Sequence, residues 1–342
     1  MKQALMTLPG KIEILDVSQP VRDTLKTDEI LLKVKRIGVC GSDIHAYHGE
    51  HPSALYPLVQ GHEYSAQVIA VGSGVSEVKP GTKVTARPQR VCGVCNPCKK
   101  GEYNVCQNLR VEGFHLQGSA QDYFVVTHDR LVVLPDGMSY DHGAMVEPVA
   151  VAAHATARPR MLKGKNVVVS GAGTIGNLIA QFAIARGAAK VLVTDISDYR
   201  LDVAKACGIE HTINVSRKTL AEGMSEVFGA EGYQIGFECA GVESSIQSLM
   251  ATIEKGSDII IVGVHAQNPV VDMEHLGERE LWLIGSMMYL HEDYLTAVEE
   301  ISAGRIKLDP IITNHFPLEK YAEAYKFIDS ARDKCMKVII DL

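Results

Sequence analysis

Apolar and polar residues alternate over Ile30 to Ile37, where Leu32 and Val34 are interleaved with Lys33 and Lys35. A period of two predicts a half-buried strand. Short apolar runs recur at Ala66 to Val71, Lys83 to Ala86, Tyr123 to Val126 and Arg130 to Leu134. Between them stand Pro80-Gly81 and Pro135-Asp136-Gly137, turn signals because proline presets φ and glycine tolerates positive φ. Long helical spacing is missing up to about residue 145, so this stretch reads as a compact β-rich domain.

The pattern changes near Glu147. Val167 to Ser170 is an apolar run that leads into glycines, and Asn177 to Arg186 then has helical spacing in Leu178, Ile179, Phe182 and Ile184. Strands are predicted at Lys190 to Thr194, Gln234 to Cys239 and Asp258 to Val262, alternating with helices. That alternation predicts a doubly wound parallel sheet, so the fold class is α/β. A helix over about Leu318 to Ser330 and a strand over Lys337 to Ile340 close the chain.

The glycine turn reads Gly171-Ala172-Gly173-Thr174-Ile175-Gly176 between a strand and a helix. In that context the glycines permit a tight turn and let backbone approach a pyrophosphate at the helix N-terminus. The second strand ends on Asp195, a carboxylate placed to accept bonds from ribose hydroxyls and to repel a 2′-phosphate. NAD rather than NADP is the expected cofactor, with Arg200 expected near the adenine.

Two groups of metal-ligand residues precede that turn. Cys40, at the end of the strand at Ile30 to Ile37, and Gly61-His62-Glu63 offer a thiol, an imidazole and a carboxylate. Three ligands with one open position is the catalytic arrangement for zinc. Cys92, Cys95, Cys98 and Cys106 place four thiols on one loop, which suits a closed tetrahedral zinc. An iron–sulfur cluster fits less well, because a seven-residue gap precedes Cys106 and no proline follows it. Cys207, Cys239 and Cys335 read as core, Met287-Met288 as packing, and His48 and His51 as solvated loop residues.

Composition narrows the classes. The chain has 342 residues, a formal net charge of -7, 46% hydrophobic and 22% charged residues, and eight cysteines. Its length points to two domains, and its charge gives no reason to expect nucleic acid or an anionic membrane as a partner. No apolar run approaches a membrane span and Met1 to Gly10 lacks the features of a signal peptide, so a cytoplasmic protein is expected.

Taken together, Cys40-Gly41-Ser42-Asp43-Ile44-His45, Gly61-His62-Glu63, the four-cysteine lobe, Glu147-Pro148 and Gly171 to Gly176 resemble the zinc-dependent medium-chain alcohol dehydrogenases, most closely the sorbitol and threonine dehydrogenase branches. The resemblance runs from Gly38 to the C-terminus. It implies a GroES-like domain (1–146 and 286–342) holding both zincs, and an NAD-binding Rossmann domain (147–285). It also implies hydride transfer between a small-molecule alcohol and NAD in the cleft between the domains, and a homo-oligomer, most simply a tetramer. Ser42 would take the substrate proton and His45 would pass it on.

Counting ligand charges, zinc with Cys40, Glu63 and neutral His62 is about neutral, which leaves an effective Lewis acid. Glu147 as a further ligand would add a negative charge, so it is expected beside the metal or as a ligand displaced by substrate. Three departures bear on the substrate. Val149-Ala150-Val151 and Gln89 stand where threonine dehydrogenases tend to have Gly-Asn-Ala and a histidine. Met288, before Tyr289, stands where straight-chain polyol enzymes tend to have arginine. A hydroxyl-rich secondary alcohol is expected, a cyclic or less extended polyol being as suitable as sorbitol, with Tyr47, Gln117 and Tyr289 as candidate contacts and L-threonine as the alternative.

Overall fold

In the computed structural model, which describes residues 1–265 and 267–342, the first alternating stretch becomes the strand Glu29–Gly38. Ile30, Leu32 and Val34 are buried in the core, together with Tyr64, Phe124, Tyr321 and Tyr325. The strand pairs antiparallel with Glu63–Val71, Tyr123–Thr127 and Lys337–Asp341. Lys83–Ala86 and Leu131–Val133 extend the sheet on one side and Ile312–Pro317 on the other, for seven strands in all. A hairpin of Lys2–Leu8 and Lys11–Asp16 precedes them and went unread in the sequence.

These elements belong to a unit made of Met1–Glu147, Leu290–Ser302 and Ile312–Leu342. The second unit is Pro148–Tyr289 with Ala303–Ile311. The sequence reading had carried Ala303–Ile311 with the first domain. It joins the second through Lys307, whose amide donates to Gln181 Oε1 at 2.7 Å and whose carbonyl accepts from Gln181 Nε2 at 3.1 Å.

The second unit is built on six parallel strands, in the order His211–Asn214, Lys190–Asp195, Asn166–Ser170, Ile235–Glu238, Asp258–Ile261 and Trp282–Gly285. The sequence order 3-2-1-4-5-6 is that of a doubly wound dinucleotide fold. The helix after the glycine turn spans Thr174–Ala185, beginning three residues before its apolar spacing does, because Gly173 serves as N-cap. Gly176 has a steric reason: a Cβ there would lie 1.8 Å from the Gly171 carbonyl oxygen.

Candidate metal centre and cofactor site

Three neighbouring strands of the first sheet assemble one site. Gly38, at the end of its strand, is paired with Glu63 at the start of the next, and Ile339 lies opposite Gly38 on the other side. A Cβ at Gly38 would lie 2.2 Å from Glu63 Oε2, so glycine here is what lets the carboxylate turn in. Cys40 follows as the N-cap of the helix Gly41–Tyr47, and Asp43 Oδ2 accepts from the Cys40 amide at 3.1 Å. Ligand atoms of Cys40, His62 and Glu63 lie within 4.8 Å of one another, which suits one metal ion.

The groups around this set are positioned too. His62 is buried, and its Nδ1 lies 3.5 Å from Asp43 Oδ1, which is too long for a firm hydrogen bond but close enough to orient the ring electrostatically. Burial pulls the imidazole pKa down, but Asp43 and Cys40 outweigh it and hold the pKa well above the usual range. Ser42 Oγ donates to Cys40 Sγ at 3.1 Å, so the hydroxyl stands beside the thiol. His45 is exposed three residues further along the helix, with Nδ1 3.2 Å from Glu50 Oε2. Glu147 is buried but is not among the three clustered ligands.

A residue the sequence reading missed completes the electrostatics. Lys337 opens the last strand, is 3% exposed, and donates from Nζ to both Glu63 oxygens at 2.8 and 2.6 Å and to the Val39 carbonyl at 3.1 Å. Burial lowers its pKa, yet Glu63, Cys40 and Glu147 more than offset this and hold it above the ordinary lysine value. The charge count therefore changes. A dication with Cys40, Glu63 and the Lys337 ammonium carries about +1, and including Glu147 brings it to about zero. The electrostatic objection to Glu147 as a ligand is lost.

The four-thiol loop is also drawn together. Cys106 Sγ lies 3.6 Å from Cys92 Sγ and 3.9 Å from Cys95 Sγ, and it accepts from the Cys92 and Asn108 amides at 3.3 and 3.4 Å. Amides of Val94 and Cys95 aimed at Cys92 hold that thiol down at about 6. Desolvation and the sulfurs of Cys95 and Cys106 push Cys98 up to about 12. Four thiolates at this spacing thus need a cation to coexist, and their ligand atoms lie within 4.8 Å of one another. All eight cysteines are free of disulfides.

In the second unit Asp195 is buried, with Oδ2 accepting from the Ala172 amide at 2.7 Å and Oδ1 from the Ser197 amide at 2.9 Å. Its carboxylate is thereby fixed against the glycine turn, with lone pairs left for two hydroxyls. Arg200 Nη1 is 4.0 Å from Asp195 Oδ2. Open space lies beside Gly173, where a Cβ would meet nothing within 4 Å, which leaves the Thr174–Ala185 helix N-terminus accessible to a pyrophosphate. Gly171, Thr174, Ile175 and Gly176 complete the turn.

Other expectations fare differently. Tyr47 is buried, its ring 5.1 Å from Tyr325 in the core. Gln117 is exposed, with Oε1 accepting from the Val59 amide at 2.8 Å, and Tyr289 is fully buried. Met287 is half exposed rather than packed. His48 is exposed as expected, with Nε2 3.1 Å from an Asp329 carboxylate oxygen. His51 is not a solvated loop residue: it stacks on Phe114 at 4.2 Å, and Phe114 lies 5.1 Å from the His62 ring.

Comparison with known proteins agrees with this geometry. Residues 26–136 match the alcohol dehydrogenase GroES-like domain, and residues 174–303 match the zinc-binding dehydrogenase domain. The chain belongs to the zinc-dependent medium-chain alcohol dehydrogenase family and is an oxidoreductase acting on CH–OH groups. It is similar to sorbitol dehydrogenase of Bacillus subtilis (31% identical, covering 99% of this chain and 97% of the relative). It is also similar to L-threonine 3-dehydrogenase of Protochlamydia amoebophila (31%, 94% of each). The crystal structure of galactitol-1-phosphate dehydrogenase from Escherichia coli superposes with a TM-score of 0.91 at 30% identity over 100% of both chains. Zinc, at two sites, and NAD are its cofactors.

Proposed function

We propose that this enzyme oxidises a secondary hydroxyl of a polyol, cyclitol or related sugar alcohol to a ketone. The observation that carries this reading is the cluster of half-buried Cys40 with buried His62 and Glu63, with Ser42 and His45 on the adjoining helix. Cys40, His62 and Glu63 would hold the catalytic zinc, with Glu147 beside it, and Cys92, Cys95, Cys98 and Cys106 the structural one. When bound, zinc supplies Lewis acidity that lets an alcohol lose its proton near neutral pH. Gly171 to Gly176 and Asp195, with Arg200 nearby, would hold NAD, which would supply the hydride acceptor.

The chain's own residues handle the proton. Ser42 Oγ, held at Cys40, accepts it from the substrate hydroxyl. His45 lies at i+3 on the same helical face, and its Nδ1 faces Glu50, so Nε2 is the atom that receives the proton and releases it to water. The β-rich domain carries both metals and the parallel-sheet domain the nucleotide. The domain limits we infer are close to 1–146 with 286–342, and 147–285, except that Ala303–Ile311 packs with the second domain.

A homo-oligomer, most simply a tetramer, is supported by the strand Trp282–Gly285. It ends the parallel sheet with Trp282 half exposed, an edge on which a second copy can pair. Free thiols throughout suit a reducing, cytoplasmic setting. No helix among the described residues is long and apolar enough to cross a membrane.

NADH formation with a panel of sorbitol, other polyols, cyclitols, sugar acids and L-threonine tests the substrate class. Efficient turnover is expected with one or more polyols or cyclitols. Turnover of L-threonine alone, or of simple primary alcohols alone, would overturn it. For the cofactor, Asp195→Ser is expected to narrow the NAD over NADP preference in kcat/KM by about tenfold or more, because it removes the carboxylate that repels a 2′-phosphate. Equal values for the two cofactors in the unaltered enzyme would contradict the role of Asp195.

A further inference from the structure

The β-rich unit also carries a cavity of about 270 Å³ lined by three guanidinium groups, those of Arg87, Arg90 and Arg130. That is roughly nine times the 30 Å³ or so that one water occupies in the liquid. None of the three belongs to either metal-ligand set.

Two of these arginines are buried and held rigidly. Arg130 is 3% exposed; its Nε donates to Thr127 Oγ1 at 3.2 Å, and its Nη1 donates to the Arg87 carbonyl at 2.8 Å and lies 2.8 Å from Glu112 Oε1. Arg87 is 9% exposed; its Nη2 donates to the Asp129 carbonyl at 2.8 Å, and its guanidinium lies over the Tyr103 ring at 5.3 Å. With these contacts made, Arg87 Nε and Arg130 Nη2 are still buried without a hydrogen-bond partner among the described residues, against one unpaired buried acceptor beside them, Glu112 Oε2. A buried N–H of a cation left unpaired is costly, so such donors imply an acceptor that enters from outside the chain.

The donor geometry points to the acceptor. Three arginines line the cavity; Glu112 is in ion-pair contact with Arg90 and Arg130, and Arg87 donates to the Asp129 carbonyl. Arg90, half exposed at the rim, shares Glu112 Oε1 with Arg130, its Nε lying 3.2 Å from that oxygen. Planar guanidinium forks converging from several directions match a tetrahedral oxyanion, which offers acceptor oxygens on every side. We propose that Arg87, Arg90 and Arg130 bind a phosphate group here, either as inorganic phosphate or as the phosphate of a small ester. Because Gln89–Arg90 runs directly into Cys92, the bound anion also steadies the entry to the four-thiol loop.

Calorimetric titration of the zinc-loaded enzyme at constant ionic strength, with inorganic phosphate in one arm and glycerol phosphate in the other, tests this. Saturable binding of about one anion per chain is expected in at least one arm, and which arm is tighter distinguishes the two sources. Arg87→Gln is expected to weaken it at least about tenfold, the loss of one charge-assisted donor. Arg90→Gln, at the exposed rim, should weaken it as well. Heats that never saturate in either arm, or affinities unchanged in both variants, would overturn the proposal. So would a change in oligomeric mass in Arg90→Gln without any loss of anion affinity, since that would assign the arginines to contacts between copies.

Discussion

Cys40→Ser should abolish turnover while leaving a folded chain. Lewis-acid stabilisation by a bound metal contributes several kcal/mol, and each ~1.4 kcal/mol is tenfold, so a fall in kcat of about a thousandfold or more is expected. The fold should survive for a local reason. Cys40 is the N-cap of the helix Gly41–Tyr47, and serine is among the preferred N-cap residues, so the substitution keeps the start of the helix. The reciprocal bond, from the residue 40 amide to the Asp43 carboxylate, uses only the backbone of residue 40 and is retained. Circular dichroism and a melting curve alongside the rate measurement separate lost chemistry from lost structure. A variant with more than a tenth of the original kcat would remove Cys40 from the reaction.

Lys337→Met should be the most damaging single change to stability away from the zinc ligands. Methionine is about as long as lysine but leaves the Glu63 carboxylate buried without its ammonium partner. Removing one member of a buried ion pair typically costs about 3–5 kcal/mol, because the other charge stays desolvated. The Val39 carbonyl loses its donor as well. Activity should fall in the same variant, since one fewer positive charge beside the ligand set makes the bound metal a poorer acid. Denaturant unfolding of the purified variant gives the stability change. A loss below about 1 kcal/mol would mean that Glu63 has other compensation.

These two residues mark the limit of what could be read from the sequence. Cys40, His62-Glu63, the four thiols and the glycine turn were legible because each places its chemistry within a few consecutive residues. The parallel sheet was legible for a similar reason, as its strands are apolar on both faces and alternate with helices. Lys337 was not, because it heads an apolar strand, where a lysine reads as a solvated end. Only the sheet register across 274 residues brings it to Glu63. The same distance effect hid the stacking of His51 on Phe114 and the packing of Tyr47 against Tyr325. The buried Arg87, Arg130 and Glu112 are also a tertiary feature, since charged residues in a loop-rich sequence suggest surface. Substrate contacts were least legible, because pocket walls are set by single side chains on separate loops.

The measurement that bears most directly on the account is the metal content of the purified enzyme and of two variants, taken with their rates. Two zincs per chain are expected in the unaltered protein. One is expected in an inactive, folded Cys40→Ser. One is also expected in Cys95→Ser, with a lowered melting temperature, because loss of a structural metal withdraws folding energy. Iron with sulfide on the four-thiol loop, or full activity with a single zinc per chain, would contradict the assignment of a catalytic and a structural zinc to these residues.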